Sequence, residues 1–110
     1  PGYQIALLGE PGGWYFVSQA PEGCLDLINI DSKSRMDMHV AALSKSALAI
    51  GGLSGALLVA LASGCKSVVW GEESVRERFN EENQLGTQLL YIGEQHPENS
   101  TIEEAVKSIV

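Results

Sequence analysis

Twenty consecutive residues, Ser46–Cys65, carry no charge, although a lysine stands at each end of the stretch. Such a segment has to leave water. It either spans a bilayer, for which about 20 apolar residues suffice, or it lies inside a folded domain. Glycine and serine occur in membrane helices, so their presence decides nothing. The layout does decide. An apolar run, Ala47–Ile50, stops at Gly51-Gly52, and a second run begins after Ser54-Gly55. Ala56–Ala62 is apolar on every face and ends at Gly64. This is the signature of a buried strand, a tight turn and a buried helix, as found in the core of an α/β protein.

The same punctuation recurs along the chain. Tyr3–Leu8 is closed by Gly9, Ser67–Trp70 by Gly71 and Leu89–Ile92 by Gly93. Leu25–Ile30 alternates apolar and polar residues, as a half-buried strand does. The aromatic run Trp14–Val17 is a further short strand. Helical spacing falls between these runs. Met36, Val40 and Leu43 mark one inner face, with a weak capping box at Ser34 and Asp37. Val75 and Phe79 mark a second face on a charged helix over Glu72–Phe79, where Glu72 and Arg76 are spaced for an i, i+4 pair. Ile102, Ala105, Val106 and Ile109 mark the last helix, with a capping box at Ser100 and Glu103. Strands alternating with helices from residue 25 onward predict βαβ units and a mostly parallel sheet of about five strands. At 110 residues the chain is expected to form one domain.

Charge narrows the partners. Seven Lys and Arg against 14 Asp and Glu give a formal net charge of −7. A surface this acidic lacks the basic footprint that nucleic acid or anionic lipid requires. Two cysteines, Cys24 and Cys65, do not make a disulfide framework and are read as reduced. Residues 1–20 lack the basic start and continuous apolar stretch of a signal peptide. A cytoplasmic location is expected. The first residue is Pro1, and the chain is read as a piece of a longer protein.

In an open parallel sheet, ligands bind beyond the C-terminal strand ends. Those ends fall at Gly9-Glu10, Gly51-Gly52, Gly71-Glu72 and Gly93-Glu94. The richest is Ile50-Gly51-Gly52-Leu53-Ser54-Gly55. Glycines let backbone amides approach a ligand, Ser54 adds a hydroxyl, and the helix start carries partial positive charge. A phosphate or diphosphate suits that corner; tight strand–helix packing is the structural alternative. Glu10 and Glu72 stand where a carboxylate could meet ribose or sugar hydroxyls, unless they simply solvate the surface. There is no Gly-x-Gly-x-x-Gly and no Walker motif. Gly52-Leu53-Ser54-Gly55-Ala56 misses the nucleophile elbow, and nothing ties His39 or His96 to Ser54. No Cys/His spacing suggests zinc, so no metal and no separate cofactor is expected.

From Asp37 to Gly64 the chain resembles the C-terminal half of a GT-B glycosyltransferase, closest to the heptosyltransferase-like group. In that group a helix leads to a strand, a D-S/T-G-x-x-H turn and helix, and a further strand ending in glycine. Here the turn reads Leu53-Ser54-Gly55-Ala56-Leu57-Leu58, followed by Ser67–Gly71. The likeness covers roughly residues 36–110. It implies a Rossmann-like three-layer sandwich over residues 1–110. It also implies a donor site for the diphosphate of a nucleotide sugar at Gly51, Gly52, Ser54, Gly55 and Ala56. The acceptor site and catalytic base of such enzymes lie in the N-terminal half, so no catalytic residue is assigned. The implied partners are a nucleotide sugar and an N-terminal half or another protein domain. Half of such an enzyme would expose an apolar interface and favour self-association. Two positions depart from the motif: Leu53 replaces Asp and Leu58 replaces His. Those losses point to the alternative, a non-catalytic Rossmann-like interaction module.

Overall fold

The uncharged stretch divides into a strand and a helix, but the strand runs through Gly51 and Gly52 instead of stopping before them. Neither element is buried all round: Ile50 is 49% exposed and Leu58 39%. In the computed structural model, which describes residues 4–8, 22–27 and 31–110, this stretch supplies strand β3 (Ala49–Gly52) and helix α2 (Gly55–Ala62). Before them come β1 (Ile5–Leu7), β2 (Cys24–Asp26) and α1 (Ser32–Lys45). After them come β4 (Ser67–Trp70), a 3₁₀ turn (Glu73–Val75), α3 (Arg76–Glu81), β5 (Leu89–Ile92) and α4 (Asn99–Ile109). Among the described residues, no helix is long and apolar enough to cross a membrane. The class is α/β, and every strand pairing is parallel. The chain divides into two units, Pro1–Ala42 and Leu43–Val110.

In the first unit β1 and β2 form a two-stranded sheet with Ile5 opposite Cys24 and Leu7 opposite Asp26. The ladder runs one step further, from the Leu27 N–H to the Leu7 carbonyl (3.0 Å). Helix α1 starts just after Asp31, whose carboxylate accepts from the Lys33 N–H (3.2 Å). That bond satisfies a donor at the helix start, so Asp31 takes the capping role expected of Ser34. The inner face also differs from expectation. Met36 and Val40 are exposed, while His39 is buried. His39 Nε2 donates to the Leu27 carbonyl (2.9 Å). A carbonyl can only accept, which places the proton on Nε2. The aromatic run Trp14–Val17, and residues 28–30 of the strand expected over Leu25–Ile30, lie outside the described residues.

The second unit is a three-stranded sheet in the order β3-β4-β5 with helices on both faces. On one face Leu57 and Leu61 of α2 and Phe79 of α3 pack against Val69 and Tyr91. On the other, Ala105 and Ile109 of α4 pack against Val68 and Ile92. Alternate residues of β4 thus serve opposite cores, as the period of two in a strand requires. Gly64, at φ +75°, ends α2 in the left-handed region that glycine enters without strain. Cys65 follows, buried, with its thiol raised above its usual value by desolvation; both cysteines are free thiols.

Three expectations are corrected here. Among the described residues, the expected single sheet of about five strands is instead one sheet of two strands and one of three. β1 is only three residues long and all three pair with β2, while β3 finds its partner in β4. The charged helix over Glu72–Phe79 begins as a 3₁₀ turn, and its ion pair joins Arg76 to Glu73 rather than to Glu72 (2.8 Å). Helix α4 starts at Asn99, two residues before the expected capping box would place it, and Glu98 occupies its N-cap without a side-chain bond.

Candidate functional site

Parallel registry sets the site. Gly52 lies opposite Trp70, and Trp70 lies opposite Ile92. The three strands therefore end together, and the segments leaving them share one crest. Two bonds extend the ladder past the strand ends. The Leu53 N–H donates to the Trp70 carbonyl (2.8 Å), and the Gly71 N–H donates to the Ile92 carbonyl (3.1 Å). Neighbouring strands lie about 4.8 Å apart. Ser54 and Glu72 each stand two residues beyond the register pair Gly52 and Trp70, past the ends of neighbouring strands.

On the β3 side the crest is built from backbone. Gly51 packs against Leu57, and Gly52 packs against the indole of Trp70; a Cβ on either would come within 3.2 Å of those side chains. These two glycines therefore serve close packing. Ser54 is extended (φ −164°, ψ 171°) and caps α2 by position, but its hydroxyl makes no capping bond. The Leu57 N–H turns back to the Ser54 carbonyl (3.2 Å). The amides of Gly55 and Ala56 have no acceptor within the helix, because a helix start leaves its first donors unpaired. Gly55 is exposed, and nothing approaches the place its Cβ would take. The exposed helix start thus carries unpaired amides and the positive end of the helix dipole.

Beside this start lies a groove of about 190 Å³ between α2 and α3. Leu53, Ser54 and Leu58 form one wall, and Val75, Arg78, Phe79 and Glu82 form the other. Both Leu53 and Leu58 are more than a third exposed, at 38% and 39%. The two leucines therefore sit together on the surface.

On the β4–β5 side the crest is built from side chains. Glu72 Oε1 accepts from Gln95 Nε2 (2.7 Å), and its Oε2 accepts from the Ser74 hydroxyl (3.3 Å). Beneath it, the Tyr91 hydroxyl donates to the Glu72 carbonyl (2.8 Å). That contact requires Gly71, where a Cβ would come 2.6 Å from the Tyr91 oxygen. Arg76 donates from Nη1 to the Tyr91 carbonyl (2.9 Å) and lies over the Tyr91 ring at 5.2 Å. Its Nε and Nη2 grip the Glu73 carboxylate at 2.8 to 3.0 Å. The hydrogen bond from Arg76 holds Glu73 below the ordinary glutamate range. Burial raises the Tyr91 phenol, which keeps it a neutral donor.

Of the predicted residues, Gly51, Gly52, Ser54, Gly55, Ala56 and Glu72 meet at this crest, and Glu10 lies outside the described residues. Helical spacing marks Arg76 only as an ion-pair partner, and sequence reasoning does not place Tyr91 or Gln95 at the site. The pairing of Leu89–Ile92 with Ser67–Trp70 could have suggested Gln95, since it follows the strand end at Gly93-Glu94. Among the described residues, no three His, Cys, Asp or Glu side chains are grouped to hold a metal. The chain matches no protein-family model, and neither the curated proteins nor the solved structures yield a match.

Proposed function

We propose that the chain is the donor-binding half of a GT-B, heptosyltransferase-like glycosyltransferase, Rossmann-like in plan. It holds the diphosphate of a nucleotide sugar at Ser54, Gly55 and Ala56. The observation that carries this reading is the exposed Ser54-Gly55 helix start, with its uncommitted hydroxyl, one strand away from Glu72. The phosphates meet amides and the positive end of α2, and Glu72 offers acceptors to ribose or sugar hydroxyls. Fixed donors aimed at the diphosphate stabilise the charge that grows as the sugar departs, which is the contribution of this half to transfer. The acceptor and the base that activates it come from the other half.

A second reading has its own support. Leu53 and Leu58 expose apolar surface beside Ser54, which suits a non-catalytic module that contacts another protein. Titration of UDP-, GDP- and ADP-sugars against melting temperature separates the two. A ligand at a hundred times its dissociation constant adds about 2.7 kcal/mol to stability. A shift that Ser54→Ala weakens supports the donor site. No shift with any nucleotide, in a sample shown to be folded, overturns it in favour of the interaction module.

A further inference from the structure

We propose that Arg76 grips a phosphate of the donor in the place that the Glu73 carboxylate now occupies, so that Glu73 is a built-in competitor for the site. This rests on the nucleotide-sugar reading above and adds a binding residue and a means of tuning to it. The guanidinium is held in two ways that do not involve Glu73: its bond to the Tyr91 carbonyl and its stacking on the Tyr91 ring. It therefore keeps its position when Glu73 swings away. The edge that remains, Nε with Nη2, is the two-pronged face that suits carboxylate and phosphate alike, and Glu73 fills it with both oxygens.

The space around that edge is shaped by Gly93, the residue after β5. A Cβ there would overlap the Glu73 carboxylate and come 3.1 Å from Arg76 Nη2. The cradle has room because position 93 has no side chain. It lies past the end of β5, next to the β4 end that carries Glu72 and two strands from the β3 end that carries Ser54. Exchange is easy for the resident anion. The Glu73 side chain is 64% exposed, and it pairs with Arg76 only three residues away. Such surface pairs contribute little, whereas a phosphate brings more charge and a third acceptor oxygen to the same donors.

The test uses the whole chain and two probes, UDP and inorganic pyrophosphate, followed by calorimetric titration. Glu73→Gln removes the competing charge and should tighten both about two- to fivefold. Arg76→Lys keeps a positive charge but loses the fork, and should weaken both about tenfold. Binding by Glu73→Gln where the natural chain binds too weakly to measure also supports the proposal. Equal affinities for the natural chain and Glu73→Gln, with Arg76→Lys unchanged, overturn it and leave the donor reading standing. If neither the natural chain nor Glu73→Gln binds either probe, the donor reading falls and takes this proposal with it.

Discussion

The two sides of the strand-end crest reach order by different routes. At the end of β3, position is set by backbone: two packed glycines, an extended serine and a helix start. At the ends of β4 and β5, position is set by a chain of side-chain bonds running from Gln95 through Glu72 and Tyr91 to Arg76 and Glu73. Backbone donors are not retuned by ordinary substitutions, because every residue except proline has one. Side-chain networks can be, and each member is a separate handle. The comparison teaches that one side of the crest is fixed by the chain's path while the other is adjustable residue by residue.

The largest break in this contrast is expected at Gly71. Alanine there would crowd the Tyr91 hydroxyl at 2.6 Å and Leu53 at 3.2 Å. Tyr91 is buried, so the ring cannot simply swing aside. We expect Gly71→Ala to cost about 1–3 kcal/mol in denaturant unfolding, the range for overpacking. Adding Tyr91→Phe removes the clashing oxygen and should recover part of that loss. Tyr91→Phe alone should cost about 1 kcal/mol, the usual worth of one such hydrogen bond. A cycle showing the two substitutions to be additive would mean that the hydroxyl is not what Gly71 makes room for.

A smaller effect sharpens the β3 side. Removing a serine N-cap ordinarily costs about 1 kcal/mol. The Ser54 hydroxyl makes no capping bond, so Ser54→Ala should change stability by less than about 0.5 kcal/mol while weakening phosphate binding. A full capping penalty would assign the hydroxyl to the helix instead.

The smallest effect is in pH. Glu73 is held below its ordinary value in the folded chain by Arg76. Its contribution is present above the unfolded glutamate value, about 4.3, and is lost as pH falls through the lower folded value. Melting curves across that acid window should decline slightly less steeply for Glu73→Gln than for the natural chain. Because the pair is exposed, added salt should shrink the difference.

Much of the second unit was legible from Gly71 and Gly93, because an apolar run stopped by glycine marks both a strand and its end, whereas Gly51 and Gly52 lie inside β3. Ser67–Trp70 and Leu89–Ile92 were read to the residue. The backbone half of the crest was legible for the same reason, since Ser54 and Gly55 are local to one turn. The side-chain half was not. The bond from Tyr91 to Glu72 spans 19 residues and that from Arg76 to Tyr91 spans 15. Only strand registry brings those groups together, and no local spacing encodes it. Helical periodicity also misled at Glu72, where a 3₁₀ turn shifted the partner of Arg76 by one residue. At Met36 and Val40 it misled again, because helical spacing says which residues share a face but not that the face is covered.

Trp70 carries a further implication. Its indole nitrogen lies flush against Gly52, at the very lip from which the chain turns to Ser54. A fluorophore is thus built into the rim of the proposed donor corner. Whatever settles there alters the local field on that ring, and the molecule becomes its own optical indicator of occupancy, with no label attached.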